Sequence, residues 1–398
     1  MKRIISVFLA FTMLFSLSSV LSEDFKETSF ATLDNPTSLF IYDLNKDGNE
    51  EILVTSIDGK LHAFDKSGAE KWNYPTNEIP YSVFVDDIDG DTLAEIIVGS
   101  GKIDQQTFRF SSGKIILLNH FGKQEWIYDT ASAIKGIYVT DIDNDGGKDI
   151  LASAEDGILY AINNDGTLKW DEFTGSRAPA FSANVAGGAS TLIVHGHAVL
   201  NNKGKIIASA PGFFEWKKYI LKDLNNDGKI EFIMLSQYPF ISTFNLEGTE
   251  LKGIWQYQCD GDAMDVIVDD LNGDGTLEVI ATSSKWADSS KTYDQGKVYI
   301  LNGKDGTLKE EIPLNSPAFY ICVSDMNNDG KKDIIYTSDK GVNMLLYGVK
   351  ETQEAPKEQT QQTTSTTQET TTKNTPGFEI GAVSAAALLV GYYLKRRK

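Results

Sequence analysis

The chain has 398 residues, with 37 basic and 56 acidic side chains and a formal net charge of -19. That excess of acid excludes nucleic acid as the main partner, because phosphate binding needs basic patches, and it suits cations instead. Two cysteines, Cys259 and Cys322, are too few for a disulfide scaffold, although an oxidising compartment would let them pair.

Residues 1–22 read as a secretory signal peptide. Lys2 and Arg3 precede an apolar run from Ile4 to about Val20, and Ser22 stands before the expected cut. An uncleaved N-terminal anchor is the alternative. Either one places the rest of the chain outside the cytoplasm. Residues 25–31 then form a spare strand-like run.

Residues 38–74 set out a grammar that repeats. Ser38-Leu-Phe-Ile-Tyr42 is rich in strand formers, and an acidic stretch over residues 43–51 follows it. Ile52-Leu-Val-Thr-Ser56, a turn at Asp58-Gly59, Leu61-His-Ala-Phe64, a turn at Ser67-Gly68 and Glu70-Lys-Trp-Asn-Tyr74 complete four short strands. The acidic nonapeptide recurs from Asp43, Asp87, Asp141, Asp223, Asp270 and Asp325, at steps of 44, 54, 82, 47 and 55 residues. The long step hides a decayed copy over residues 180–194, with the same apolar flanks and no acids. Seven units of about 45 residues result. A four-stranded meander leaves an apolar face bare unless a neighbour covers it, so such units read as propeller blades. After Asp325 only two further strands, residues 334–338 and 342–347, precede the end of the pattern. The spare N-terminal strand would supply the missing outer strand and close the ring. The expected fold is therefore all-β, a seven-bladed β-propeller over residues 23–349.

Within each nonapeptide, acids alternate with spacers, a glycine allows a tight reversal and a further acid closes the run. Oxygen donors at this density suit a hard cation, Ca²⁺ best. An EF-hand is excluded. Its loop needs a bidentate Glu at position twelve and flanking helices, whereas Val54, Val98, Ala152, Met234, Ala281 and Tyr336 stand there between strand sequences. Thrombospondin-type calcium repeats are excluded too, being Cys-rich and lacking the strand grammar. The pattern Asp-x-(Asp/Asn)-x-Asp-(Gly)-x-x-(Asp/Glu), joining the first and second strands of a unit, resembles the FG-GAP/VCBS propeller family over residues 25–349.

That resemblance implies a Ca²⁺ site in each of six units, for up to six ions. The ligands would be Asp43, Asn45, Asp47, Glu51 and the Asn49 carbonyl in unit one, and Asp87, Asp89, Asp91 and Glu95 in unit two. Unit two departs from the pattern, with Gly90 early and Thr92 in the glycine position, which puts its loop geometry in question. Unit three offers Asp141, Asp143, Asp145 and Asp149; unit five Asp223, Asn225, Asp227 and Glu231; unit six Asp270, Asn272, Asp274 and Glu278; unit seven Asp325, Asn327, Asp329 and Asp333. Unit four has no such acids and is expected to be metal-free.

A second signature recurs between the third and fourth strands: Ala63-Phe-Asp-Lys-Ser-Gly-Ala-Glu-Lys-Trp72, Ala161-Ile-Asn-Asn-Asp-Gly-Thr-Leu-Lys-Trp170 and a weaker form ending at Trp126. It resembles the hairpin of quinoprotein (PQQ-type) propellers. A mechanical role explains it fully: a tight glycine turn with tryptophan packed between blades. The adjacent cysteine pair of the alcohol-oxidising members is absent. Of the four histidines, His62, His120, His195 and His197, only His195 and His197 share a strand face, and no third metal ligand accompanies them. No Gly-x-Ser-x-Gly elbow or phosphate loop occurs. No catalytic residue is assigned.

In a blade, the first-to-second strand loops lie on one rim. The second-to-third loops and the connections between blades lie on the other. Two second-to-third loops are long: residues 99–113, with Lys102, Phe108 and Phe110, and residues 283–296, with Trp286 and Tyr293. Insertions on one face of a repeat fold often mark the binding face.

Residues 350–375 turn to Thr, Gln, Glu and Ser and read as a disordered stalk. No Asn-x-Ser/Thr sequon occurs, since Asn35 precedes Pro36. Residues 376–398 hold Pro376-Gly-Phe378, a short apolar run from Ile380 to Leu394 and Lys395-Arg-Arg-Lys398. A short single-pass helix fits this. The order of stalk, Pro-Gly-Phe, apolar helix and basic end resembles the archaeal PGF-CTERM sorting signal. The resemblance implies cleavage by an archaeosortase and lipid anchoring of the new C-terminus. The expectation is a secreted, membrane-anchored, cell-surface binding or adhesion module for an extracellular protein or surface glycan. The alternative is an extracellular enzyme, either a quinoprotein dehydrogenase or a calcium-dependent polysaccharide lyase.

Overall fold

The computed structural model describes residues 25–348, except 177–180, 185–190, 197, 210–215, 237–238 and 248–249. The expected signal peptide, stalk and sorting signal lie outside the described residues, as does His197. Every regular element is a strand. No helix among the described residues is long and apolar enough to cross a membrane.

Strand β1 (Phe25–Thr32) stands apart from the first blade. Blade 1 comprises β2 (Pro36–Tyr42), β3 (Glu51–Ser56), β4 (Lys60–Phe64) and β5 (Glu70–Pro75). Blade 2 comprises β6 (Ile79–Asp86), β7 (Glu95–Ile103), β8 (Phe110–Leu118) and β9 (Gln124–Thr130). Blade 3 runs through β10 (Ile134–Thr140), β11 (Asp149–Ala154), β12 (Ile158–Asn163) and β13 (Leu168–Phe173). Blade 4 follows with β14 (Phe181–Asn184), β15 (Thr191–His195), β16 (Ala198–Asn201) and β17 (Ile206–Ser209). Blade 5 is β18 (Trp216–Lys222), β19 (Glu231–Ser236), β20 (Phe240–Glu247) and β21 (Glu250–Gln258); blade 6 is β22 (Asp262–Asp269), β23 (Glu278–Ala287), β24 (Thr292–Asn302) and β25 (Leu308–Leu314). Blade 7 has β26 (Ile321–Ser324), β27 (Asp333–Ser338) and β28 (Gly341–Tyr347), with β1 as its outer strand. The seven sheets are antiparallel meanders, so the seven-bladed β-propeller read from the repeat is the fold observed. The decayed copy is a true blade.

Closure follows the expected route. β1 pairs β28 from Phe25 opposite Tyr347 to Thr32 opposite Gly341. Leu39, Ile52 and Val54 of blade 1 then meet Met326, Ile335 and Val342 of blade 7 in one apolar cluster. Lys66 reaches back to the Asp325 carbonyl at 2.9 Å. The other blade contacts are built alike. Leu53 and Leu61 of blade 1, for example, pack on Val83 and Ile96 of blade 2. Second strands such as β3, β11 and β27 are buried along their length, because a neighbouring blade covers each face.

Both cysteines are free thiols. The bridge that an oxidising compartment would have allowed is therefore not formed. Burial pushes each thiol up to about 12, which leaves it protonated and unreactive.

The tryptophan signature acts as a joint between blades. Each ring lies over the glycine turn of the next blade: Trp72 on Gly122, Trp126 on Gly166, Trp170 on Gly204 and Trp255 on Gly306. Three of the four indole N–H groups also donate to a carbonyl of that turn: Trp126 to Asn164 at 2.9 Å, Trp170 to Asn202 at 3.1 Å and Trp255 to Gly303 at 2.9 Å. A Cβ on Gly166 would lie 2.8 Å from the Trp126 ring, and the residue holds φ +84°. Gly330 has a similar φ, +86°, with open space around it. Gly330→Ala should therefore cost only backbone strain, about 1–2 kcal/mol. Gly166→Ala should cost about 1–3 kcal/mol more from overpacking, measured as the difference in urea unfolding.

Candidate metal centres and opposite-face cleft

All six acidic nonapeptides are the loops between the first and second strands of their blades, on one rim of the ring. They fold alike. The first aspartate accepts backbone amides from later in its loop: Asp43 from Asp47 and Gly48 at 3.1 and 2.8 Å, Asp223 from Asp227 and Gly228 at the same distances. Asp87, Asp141, Asp270 and Asp325 do the same. The fifth-position aspartates, Asp47, Asp91, Asp145, Asp227, Asp274 and Asp329, each accept the seventh residue's amide. Those amides hold the Asp47 and Asp274 carboxyls below the usual range. Third-position oxygens of Asn45, Asp89, Asn225, Asn272 and Asn327 accept the fifth residue's amide. Asn49 turns both its amide and its side-chain NH₂ to Asp47.

The closing acids Glu51, Glu95, Asp149, Glu231, Glu278 and Asp333 are only 0–4% exposed. Each accepts the amide of its loop's second residue, at 2.8 to 3.2 Å. Those second residues, Leu44, Ile88, Ile142, Leu224, Leu271 and Met326, are buried. In the sequence they stand as spacers between the acids, although all six are apolar. They pin the loop to the blade so that the closing carboxylate enters the protein. Burial raises Asp149, Glu231 and Asp333 above the carboxylate range. It pushes Glu95 up to about 7, with Asp89, Asp91 and Glu125 adding to the rise. These are the carboxylates a cation would most relieve.

The donors fit a hard cation. Oxygens of Asp87, Asp89 and Glu95 lie within 4.8 Å of one another, as do those of Asp141, Asp143 and Asp149. The second loop also keeps the shared geometry despite its altered glycines. Positions four and six have positive φ in all six loops, and Gly90 and Thr92 take them at +82° and +81°. Thr92 is thus a β-branched residue in a glycine conformation. Replacing it with glycine removes strain and adds some chain entropy to the unfolded state. Thr92→Gly should raise stability by about 1 kcal/mol in urea unfolding.

Lysines of the outer strands reach three of the loops. Lys71 Nζ lies 2.6 Å from Glu51 Oε1. Lys169 Nζ lies 2.8 Å from Asp149 Oδ1 and 2.6 Å from Asp143 Oδ2, and its hydrogen bond lowers the Asp143 pKa. Lys309 pairs with Glu278. Lys71 and Lys169 stand directly before the signature tryptophans, so their signal lay in a motif read only as mechanical.

The opposite rim carries a cavity of about 580 Å³ between blades 1 and 2. The β3–β4 turn, the β5–β6 connection and the long β7–β8 hairpin enclose it, with Asp58, Lys60, Glu78, Lys102, Phe108 and Phe110 in its wall. Asp104 braces the hairpin by accepting the amides of Gln106 and Thr107 at 2.9 and 2.7 Å. Phe108 is half exposed and holds φ +53°. Phe110 meets Tyr81 edge to face at 5.6 Å. Lys135 sits with its amine 3.1 Å above the Tyr81 ring and 4.6 Å from Phe110, and burial lowers it to about 7. Glu78 is satisfied by Ser100 and Ser112. Lys60 and Lys102 form no ion pair among the described residues. His62, also missed from sequence, is buried with Nε2 3.0 Å from Asp58 and Nδ1 3.2 Å from Glu70. The second long hairpin differs. Tyr293 packs on Trp286 and on Phe319 of the connection to blade 7 and donates to Asp262, so its aromatics are taken up by neighbouring side chains. His195 is buried with Nδ1 2.7 Å from Thr174 Oγ1.

Residues 34–111 and 106–207 match the family described as the lambda-carrageenase beta-propeller domain, and residues 270–336 match the FG-GAP-like repeat. No curated protein matches the chain. Two crystal structures of BBS1N in complex with ARL6DN, soaked with mercury and with lead, share the fold. Their TM-scores are 0.58 and 0.59, at 11% and 10% identity, and each match covers 81% of this chain and 96% of the other. BamB from Moraxella catarrhalis aligns at TM-score 0.49 and 14% identity, over 82% of this chain and 98% of its own. The chain is a β-propeller. It carries an FG-GAP-like repeat across its sixth and seventh blades.

Proposed function

We propose that this propeller is a cell-surface binding or adhesion module, stabilised by Ca²⁺ in its acidic loops, with its ligand site in the cleft between blades 1 and 2. The observation that carries this reading is the cleft itself. It combines exposed Phe108 on a braced hairpin, two amines that form no ion pair among the described residues and mostly apolar walls, on the rim opposite the acidic loops. An aromatic platform beside amines suits an anionic surface glycan or an acidic protein segment. A glycan array and a pull-down from cell-surface material with the full chain test this. Phe108→Ala combined with Lys102→Ala should weaken capture at least tenfold, and unchanged capture would sink the cleft as the site.

Calcium binding to the native state alone would stabilise the fold by mass action. The melting temperature should fall on addition of a chelator and recover with excess Ca²⁺. A melt indifferent to both would remove calcium from the reading. Signal-directed export and anchoring by the C-terminal segment, through an archaeosortase or as a retained helix, complete the proposal.

One observation favours the enzyme alternative. Asp58 both lines the cleft and contacts buried His62, and the family matching residues 34–207 takes its name from a carrageenase. Turnover of an anionic polysaccharide, lost in His62→Gln with binding retained, would move the assignment to a calcium-dependent polysaccharide enzyme.

A further inference from the structure

We propose that the six acidic loops are of two kinds: in blades 1, 3 and 6 a lysine from the outer strand is a built-in cation that fills the site, while the loops of blades 2, 5 and 7 are left for a divalent ion. This rests on the reading of the loops as cation sites. It divides them by what already neutralises the buried closing acid.

In the first kind the amine stands among the oxygens that a metal would use. Lys169 is the fullest case, since it bridges the third-position Asp143 at 2.6 Å and the closing Asp149 at 2.8 Å, with only 17% of its side chain exposed. Lys71 contacts Glu51 at 2.6 Å, and Lys309 contacts Glu278. Calcium coordinates carboxylates at about 2.3–2.6 Å, so ion and ammonium would compete for the same space. A metal entering these loops must first break an ion pair to a buried carboxylate, and in blade 3 must also send a largely buried lysine into water.

Among the described residues, the other loops show no such lysine. In blade 2 the residue before Trp126 is Glu125, where blades 1 and 3 have Lys71 and Lys169 before Trp72 and Trp170. The loop holds four carboxylates, three of which converge as they do in blade 3, but no lysine among the described residues is paired with them. In blade 5 the residue before Trp255 is Ile254, which is 40% exposed. Its closing acid, Glu231, is only 1% exposed. One oxygen, Oε2, accepts the Leu224 amide of the same loop at 2.8 Å, so the carboxylate lies within the loop. The other, Oε1, has no hydrogen-bond partner among the described residues. A buried anionic oxygen without a donor is costly, and a cation bound in the loop would satisfy it. In blade 7 no lysine among the described residues pairs with Asp333, whose two oxygens accept the amides of Met326 and Tyr347 at 2.9 and 2.8 Å.

Calorimetric titration of the full chain with Ca²⁺, with Tb³⁺ luminescence as a second readout, should count three ions rather than six. Lys169→Met should add one ion to the count, whereas Lys169→Arg, which keeps the cation, should add none. Glu231→Gln should remove one ion and leave the others. A wild-type count of six, or a count unmoved by Lys169→Met, would overturn this division while leaving the loops as calcium sites. If neither wild type nor Lys169→Met binds Ca²⁺, the calcium reading itself fails, and the division with it. Circular dichroism melts of each variant confirm that a changed count belongs to a folded ring.

Discussion

A four-stranded blade has two apolar faces and no means of covering either one itself. Burial of those faces by neighbours is the constraint on which this molecule depends. Leu53 and Leu61 need Val83 and Ile96, and the chain of such contacts must close on itself. Closure falls to β1, which completes blade 7 and brings Met326 and Ile335 against Ile52 and Val54. The tryptophan joints add direction to this packing. Each ring points one way round the circle, onto a glycine whose missing side chain makes the contact possible.

The acidic rim follows from the same packing. An apolar second residue anchors each loop in the core and draws the closing carboxylate in behind it. The blade therefore buries an anion at the place where its first and second strands separate. Backbone amides meet part of that charge. In three blades a lysine meets more of it. Net negative charge, so prominent in the composition, is thus concentrated in a structural ring of loops. The opposite rim, relieved of that duty, has the long blade 2 hairpin, whose aromatic residues line a cleft.

The two long hairpins show how similar sequence signals part in three dimensions. Both combine aromatic and polar residues at the same point in a blade. In blade 2, Phe108 projects beside a cavity. In blade 6, Tyr293 is taken up by Trp286, Phe319 and Asp262. Length and composition did not separate them, because the difference lies in which neighbours each ring can reach.

The sequence by itself determined the number of blades, the position of the loops and the strand that closes the ring. All three depend on local periodicity and turn chemistry, which repetition makes legible over six copies and a decayed seventh. Even the altered loop of blade 2 was found in place, because Gly90 and Thr92 supply the two positive-φ positions in a different order. Only the tertiary structure decided which closing acids are already neutralised, where the cleft opens and that His62 stands between Asp58 and Glu70. Lys169 and Asp149 are 20 residues apart, and the cleft joins three separate connections of two blades. Such contacts depend on how strands are laid side by side, and no local pattern in the chain encodes that distance.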